Sequence, residues 1–131
     1  MMAIKDNPLA YTVLGAAMKV HRTLGCGFLE SVYGDALEVE LLAAGVPFVR
    51  EQEIRVSYDG KFLKSTYRAD FVCEESLIVE LKAIKSLSNI ERAQVLNYLR
   101  ATGFPAALLI NFAQLSLQYE YLTSKIWSGG D

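Results

Sequence analysis

Asp70 is followed ten residues later by Glu80-Leu81-Lys82, and the segment between them reads as a tight hairpin. One arm is Tyr67-Arg68-Ala69-Asp70-Phe71-Val72-Cys73, the loop is Glu74-Glu75-Ser76, and the return arm is Leu77-Ile78-Val79-Glu80-Leu81-Lys82. With those three residues as the loop, Cys73 pairs with Leu77, Val72 with Ile78, and Asp70 falls opposite Glu80. Strand alternation then predicts an apolar face of Ala69, Phe71, Cys73, Leu77, Val79 and Leu81. The second face carries Arg68, Asp70, Val72, Ile78, Glu80 and Lys82. Facing carboxylates repel and destabilise a sheet, and a divalent cation between them reverses that sign. Carboxylates with a backbone carbonyl, such as that of Leu81, suit Mg²⁺ or Mn²⁺. Lys82 could then assist a metal-activated water or a phosphate oxygen. On these residues alone, a metal site and a solvated hairpin with a Glu–Lys pair fit equally well.

The elements that must position this face follow from periodicity and punctuation. Asn7 as N-cap and Pro8 at the first position open a helix. It buries Val13, Ala17, Val20 and Leu24 and stops at Gly25. After the turn Gly25-Cys26-Gly27-Phe28-Leu29, a second helix is expected from about Glu30 to Ala44, striped with Tyr33, Leu37, Leu41 and Ala44. Gly45 and Pro47 end it. Glu51 and Glu53 begin an alternating strand with Ile54, Val56 and Tyr58, and Asp59-Gly60 turns it back. The return strand, from about Phe62 into the Asp70 region, is long enough to need a bend or bulge. Ser88-Asn89-Ile90-Glu91 is a capping box that opens a helix ending at Gly103. Ala106 to Phe112 reads as a strand covered on both faces. Leu115, Leu117, Tyr119 and Tyr121 alternate with Ser116, Gln118 and Glu120 in a last strand with one wet face. The order αα, βββ, α, ββ predicts a single α/β domain, helices packed on a mixed sheet, over residues 1–131. Its core spans about 8–122, with 123–131 as a tail.

Within that frame Gln94 and Tyr98 share a face of the third helix, with Asn97 and Ile90 close by. A Gln on a packing face needs a partner, which a site on the hairpin would provide; taken alone, a boundary Gln and a half-buried Tyr fit better. Glu30 stands at the start of the second helix, where the helix dipole favours its ionised form. The lone His21 reads as a packed or surface residue rather than a ligand. Glu51 and Glu53 read as solvated or paired with Arg68 or Arg55. Tyr58, Tyr67, Tyr119 and Tyr121 could stack on bases, but their strand spacing favours core or rim residues.

Composition narrows the classes. The chain has 131 residues, 52% of them hydrophobic and 21% charged, with a net charge of −2. That balance is ordinary for a globular domain and gives no bulk attraction to nucleic acid, so such a contact would need a local basic patch or a partner. Cys26 and Cys73 have no metal-binding or disulfide spacing, and Cys73 is expected as a buried thiol. Neither a secretory signal nor a membrane-length apolar run is present, so a cytoplasmic protein is expected.

The motifs Asp70…Glu80-Leu81-Lys82 resemble the signature of the PD-(D/E)XK nuclease superfamily, and Gln94-Val95-Leu96-Asn97-Tyr98 resembles the Q-x-x-x-Y helix of its RecB-like branch. Gly27-Phe28-Leu29-Glu30-Ser31-Val32-Tyr33 is similar to the element that names the small bacterial and archaeal GxxExxY family. The similarity spans roughly Val20 to Phe112. Ala69 stands where the superfamily name has Pro, and Cys26 where a Pro is expected in the turn. The resemblance implies a restriction-endonuclease-like αβββαβ core, with the first helix and last strand as additions. It implies Asp70 and Glu80 as metal ligands, Glu30 completing the site, Lys82 assisting the water, and Gln94 and Tyr98 in support. The activity expected is a Mg²⁺- or Mn²⁺-dependent phosphodiesterase on DNA in preference to RNA; the alternative is a silent module of the same fold that binds nucleic acid or a protein partner. A homodimer through the Tyr119/Tyr121 edge is a further expectation.

Overall fold

A computed structural model of the chain describes residues 3–124. A 3₁₀ turn at Ile4–Asp6 leads to α1 (Pro8–Leu24), where the Asn7 side chain accepts from the Ala10 N–H at 3.1 Å. Helix α2 (Glu30–Ala43) follows, then β1 (Phe48–Tyr58), β2 (Lys61–Cys73) and β3 (Leu77–Lys82). Helix α3 (Asn89–Thr102) carries the Ser88/Glu91 capping box and ends at a left-handed Gly103. Strands β4 (Ala106–Asn111) and β5 (Gln118–Thr123) complete the chain. The five strands form one sheet in the order β1-β2-β3-β4-β5. Only β3 and β4 are parallel among these neighbours, as the α3 crossover between them requires. This is an α/β restriction-endonuclease-like fold, with α1 and β5 added to the αβββαβ core.

Two apolar layers hold it. On one side α1 and α2 bury Val13, Ala17, Val20, Tyr33, Leu37 and Leu41 against Phe71, Val79, Leu108 and Phe112. On the other, α3 buries Val95, Tyr98 and Leu99 against Ile54, Ala69, Val72, Ile78 and Leu109. Strand β4 feeds both layers and is buried throughout.

The three-residue hairpin loop pairs Cys73 with Leu77 and Val72 with Ile78, as the sequence predicts. The expected alternation fails in one place. Ala69 packs in the α3 layer and Phe71 in the α1/α2 layer, although residues two apart in a regular strand share a face. The switch falls at Asp70, whose neighbour position on β1 is Glu51, a non-glycine residue with φ of 54°. A second irregularity, between Arg55 and Ser57, is the bend that the long return strand needs.

Other boundaries move. Strand β1 begins at Phe48 rather than near Glu51. Ala44 is exposed and takes no part in the α2 stripe. Leu115 is 91% exposed in the turn before β5, and the face of β5 expected to be wet is covered. There Glu120 receives Arg92 of α3 through two Nε contacts of 2.6 and 2.7 Å, while Gln118 bonds Asn111 and Leu87. Tyr121 is half-buried against the α1/α2 layer, its hydroxyl accepting from Asn7 at 3.0 Å. Thr123 belongs to β5 rather than to a tail, and residues 125–131 lie outside the described residues. No helix among the described residues is long and apolar enough to cross a membrane.

Candidate metal and phosphodiester site

The β2–β3 ladder stops at Phe71 and Val79, one step short of Asp70 and Glu80. From there the two carboxylates take over the role of backbone acceptors. The Asp70 N–H donates to Glu80 Oε1 at 2.8 Å, and the Leu81 N–H donates to Asp70 Oδ2 at 2.7 Å. Each side chain thus caps the opposite strand where the strands separate, and each is fixed by a charge-assisted bond. One oxygen of each carboxylate makes that bond. The separation itself has a cause in the sequence order: β2 stays paired with β1 through Gln52 and Ala69, while β3 continues straight along β4 to Lys82 and Asn111.

Lys82 ends β3 on the α3 side, where its ammonium donates to Gln94 Oε1 at 3.2 Å. Helix α3 therefore meets the hairpin through the Gln94 that the sequence singled out. Tyr98, one turn further on, is 5% exposed and packs against Tyr67 of β2, ring centroids 5.6 Å apart. Its hydroxyl is pushed up to about 12 by burial first and then by the charges of Glu80 and Asp70, which places both carboxylates in its field.

Glu30 reaches the site from α2. The turn before it is set by Gly27, whose φ of 112° suits glycine alone. Tyr33 locks that turn: its hydroxyl donates to the Gly25 carbonyl at 2.6 Å and accepts from the Phe28 N–H at 3.2 Å. The same ring stacks on Phe112 at 4.5 Å, which anchors the start of α2 to the end of β4. The Gly-x-x-Glu-x-x-Tyr spacing thus has a mechanical meaning. The Tyr fixes the turn that aims the Glu, one helical turn earlier, toward Asp70.

The electrostatics are those of crowded acids. Glu80 is 4% exposed, and its carboxyl is pushed up to about 8, by burial first and then by the Asp70 charge. Asp70 is also raised, by burial, against the lowering effects of the Leu81 N–H, Lys82 and Arg50. Glu30 is raised by burial and then by Asp70. Lys82 and the Ala83 backbone act in the opposite direction on Glu30. Glu30 and Asp70 line a recess of about 340 Å³ together with Leu81, Arg50, Glu51 and Arg68, while Glu80 and Lys82 stand outside its lining.

Among the described residues, no three His, Cys, Asp or Glu side chains stand close enough together to form a ready metal cage. The Asp70 and Glu80 bonds to backbone N–H groups hold those carboxylates on their strands. The donor set nevertheless fits a hard divalent cation: it is all oxygen, and the mutual repulsion of its members is what a cation relieves.

Sequence reading missed Arg50. It donates to Asp35 Oδ1 at 2.8 Å and Glu38 Oε1 at 3.1 Å on α2, and its guanidinium lies 5.5 Å from the centre of the Phe71 ring. It also missed Asn111, fully buried at the end of β4, which bonds the Ile84 N–H and carbonyl and steadies the loop after Lys82. Neither has a local signal, since both act across long sequence separations. His21 lies away from the carboxylates, its Nε2 2.8 Å from the Gln114 carbonyl. Glu51 pairs with Arg68 at 3.5 Å. Cys73 is a buried thiol raised to about 12, and Cys26 is exposed.

A sequence profile described as the PD-(D/E)XK nuclease superfamily matches residues 7–122. Among solved structures, the crystal structure of SSO0001 is similar, with a TM-score of 0.59 and 19% identity over 71% of this chain. The chain spans about half of that protein, 48% of its length, and the likeness is one of fold. Among curated proteins no relative matches.

Proposed function

The chain belongs to the PD-(D/E)XK nuclease superfamily, and on that premise we propose that it is a divalent-metal-dependent phosphodiesterase acting on DNA in preference to RNA. The single observation that carries the reading is the reciprocal Asp70/Glu80 pair, two acids held at a strand separation with Lys82 beside them. Within the superfamily, the Gly27, Glu30 and Tyr33 element supports the GxxExxY assignment, with residues 8–122 as one catalytic domain.

Asp70, Glu80 and Glu30, with the Leu81 carbonyl, would hold Mg²⁺ or Mn²⁺. When bound, such an ion polarises the phosphate and makes water nucleophilic at neutral pH. The chain's own residues do the rest. Burial of Glu80 withholds bulk water from its own carboxylate and strengthens its charge interaction with Asp70. Lys82, steered by Gln94, offers N–H donors toward the charge that develops on the phosphate. Tyr67 and Tyr98 wall the α3 side of the site.

The test is cleavage of labelled single- and double-stranded DNA and RNA by the purified chain with Mg²⁺ or Mn²⁺. Metal-dependent cleavage lost in both Asp70→Ala and Lys82→Ala supports the proposal. Cleavage that survives both substitutions points to a contaminant and overturns it. Absence of cleavage on every substrate favours a silent binding module.

A further inference from the structure

Beyond the strand separation, β1 and β2 run on as an arm whose tip is exposed on both faces. Every residue of β2 from Lys61 to Arg68 is exposed. The arm between paired Arg55 and Thr66 carries Arg55, Lys61 and Lys64 against Asp59 alone. In a chain of net charge −2 this is a local excess of positive charge. Between the base of the arm and α3 lies a cleft of about 830 Å³, lined by Ile54 and Tyr67 on one wall and by Ile90, Gln94, Asn97 and Tyr98 on the other. The cleft shares no lining with the recess beside Glu30 and Asp70, but its Gln94 accepts from the Lys82 ammonium, so it borders the Lys82 side of the acid site. Two features of its lining stand out. Tyr67 is 49% exposed although it rests on Tyr98, and Ile90 is 78% exposed at the mouth.

We infer that this cleft binds the unpaired bases of a single-stranded nucleic acid whose backbone passes the acid site, an inference that rests on the nuclease reading above. A duplex hides its base faces in the stack and presents phosphates, for which affinity scales with neutralised charge. This acidic chain has little of that charge to offer. Apolar and aromatic walls recognise base faces instead, and every base has one, so stacking is tolerant of sequence. The amides of Gln94 and Asn97 add donors and acceptors for base edges. The basic arm lies where the strand's phosphates would leave the cleft. A protein segment would fill the same cleft without any need for a positive arm or for a wall bonded to Lys82.

The experiment is fluorescence anisotropy of a labelled 12-nucleotide single strand and the matching blunt duplex, with the full chain in chelator so that no cleavage occurs. The single strand is expected to bind at least about tenfold tighter than the duplex, with a shallow salt dependence. Tyr67→Ala should weaken single-strand binding at least about fivefold, while Tyr67→Phe retains it. Ile90→Glu, an acid placed in the first turn of α3 where the helix tolerates it, should weaken binding by repelling phosphate. Asp70→Ala should bind the strand at least as well as the wild type. Equal or tighter duplex binding, indifference to Tyr67→Ala in a folded variant, or no oligonucleotide binding at all would overturn the inference, the last leaving the cleft to a protein segment. Strand binding without cleavage would fail the nuclease reading alone, and cleavage indifferent to Tyr67→Ala and Ile90→Glu would fail this inference alone.

Discussion

Gly34 and Arg50 are in such close apposition that a β-carbon on Gly34 would stand 2.7 Å from the Arg50 Nη2. The guanidinium lies across the bare backbone of α2, paired with Asp35 and Glu38, and in doing so ties the helix that carries Glu30 to the strand beside Asp70. A mid-helix Gly normally costs ~0.5–1 kcal/mol relative to Ala. Gly34→Ala should therefore give no such gain in the wild type, because Arg50 must move. In an Arg50→Ala background the same change should stabilise by about 0.5–1 kcal/mol. Urea unfolding of the four proteins of this cycle reads the coupling, and additive effects would mean that Arg50 does not depend on the missing side chain.

Glu80 sets the pH behaviour of the metal-free protein. Its folded carboxyl is raised from the ordinary value of 4.5 to about 8. A raised folded value means that the stabilising contribution is complete below about pH 4.5 and is lost as pH rises through about 8. Asp70 and Glu30 are raised too and act in the same direction. Thermal melts in chelator should therefore fall from pH 5 to pH 8. Glu80→Gln, whose amide oxygen still accepts from the Asp70 N–H, should melt above the wild type at pH 8 and near it at pH 5. A Gln variant less stable than the wild type at pH 8 would contradict the dominance of burial.

Lys82 and the acids should separate in their effects. Removing Asp70 or Glu80 as Ala should abolish both cleavage and Mn²⁺ binding. Lys82→Ala should lower cleavage at least about 100-fold while leaving Mn²⁺ affinity equal or higher, since it deletes a positive charge beside the ligands. Calorimetric titration with Mn²⁺ alongside single-turnover cleavage makes the distinction. Lost Mn²⁺ binding in the Lys82 variant would reassign Lys82 to holding the acids in place.

Asn111 should be a stability residue with a functional echo. Its side chain bonds Ile84 on both backbone groups and Gln118 at 3.0 Å, with no exposure to water. Asn111→Ala leaves those partners buried and unpaired and opens a small cavity, a loss of about 3 kcal/mol. Chemical denaturation measures it. Hydrogen exchange should show the loop after Lys82 opening faster than in the wild type; unchanged exchange there would deny the latch.

The sequence by itself determined the parts that depend on short range. Capping residues, glycines and apolar runs delimited α1, α2, α3 and β4, because caps and periodicity act within a few residues. Loop length determined the β2–β3 register, and with it the facing of Asp70 and Glu80. What only the tertiary structure decided is how that register ends. The face switch at Asp70 depends on the left-handed Glu51 of another strand, and the exchange of carboxylates for ladder acceptors depends on β2 following β1 while β3 follows β4. Arg50 over Gly34 and Asn111 under the Lys82 loop likewise join segments distant in the chain, and no local period encodes them. The direction in which the pKa values of the acids shift was decided there as well. Charge in a sequence is only a count, whereas in the fold burial raises Glu80 and Glu30 against the influence of Lys82, since the cost of desolvating a carboxylate depends on what finally covers it.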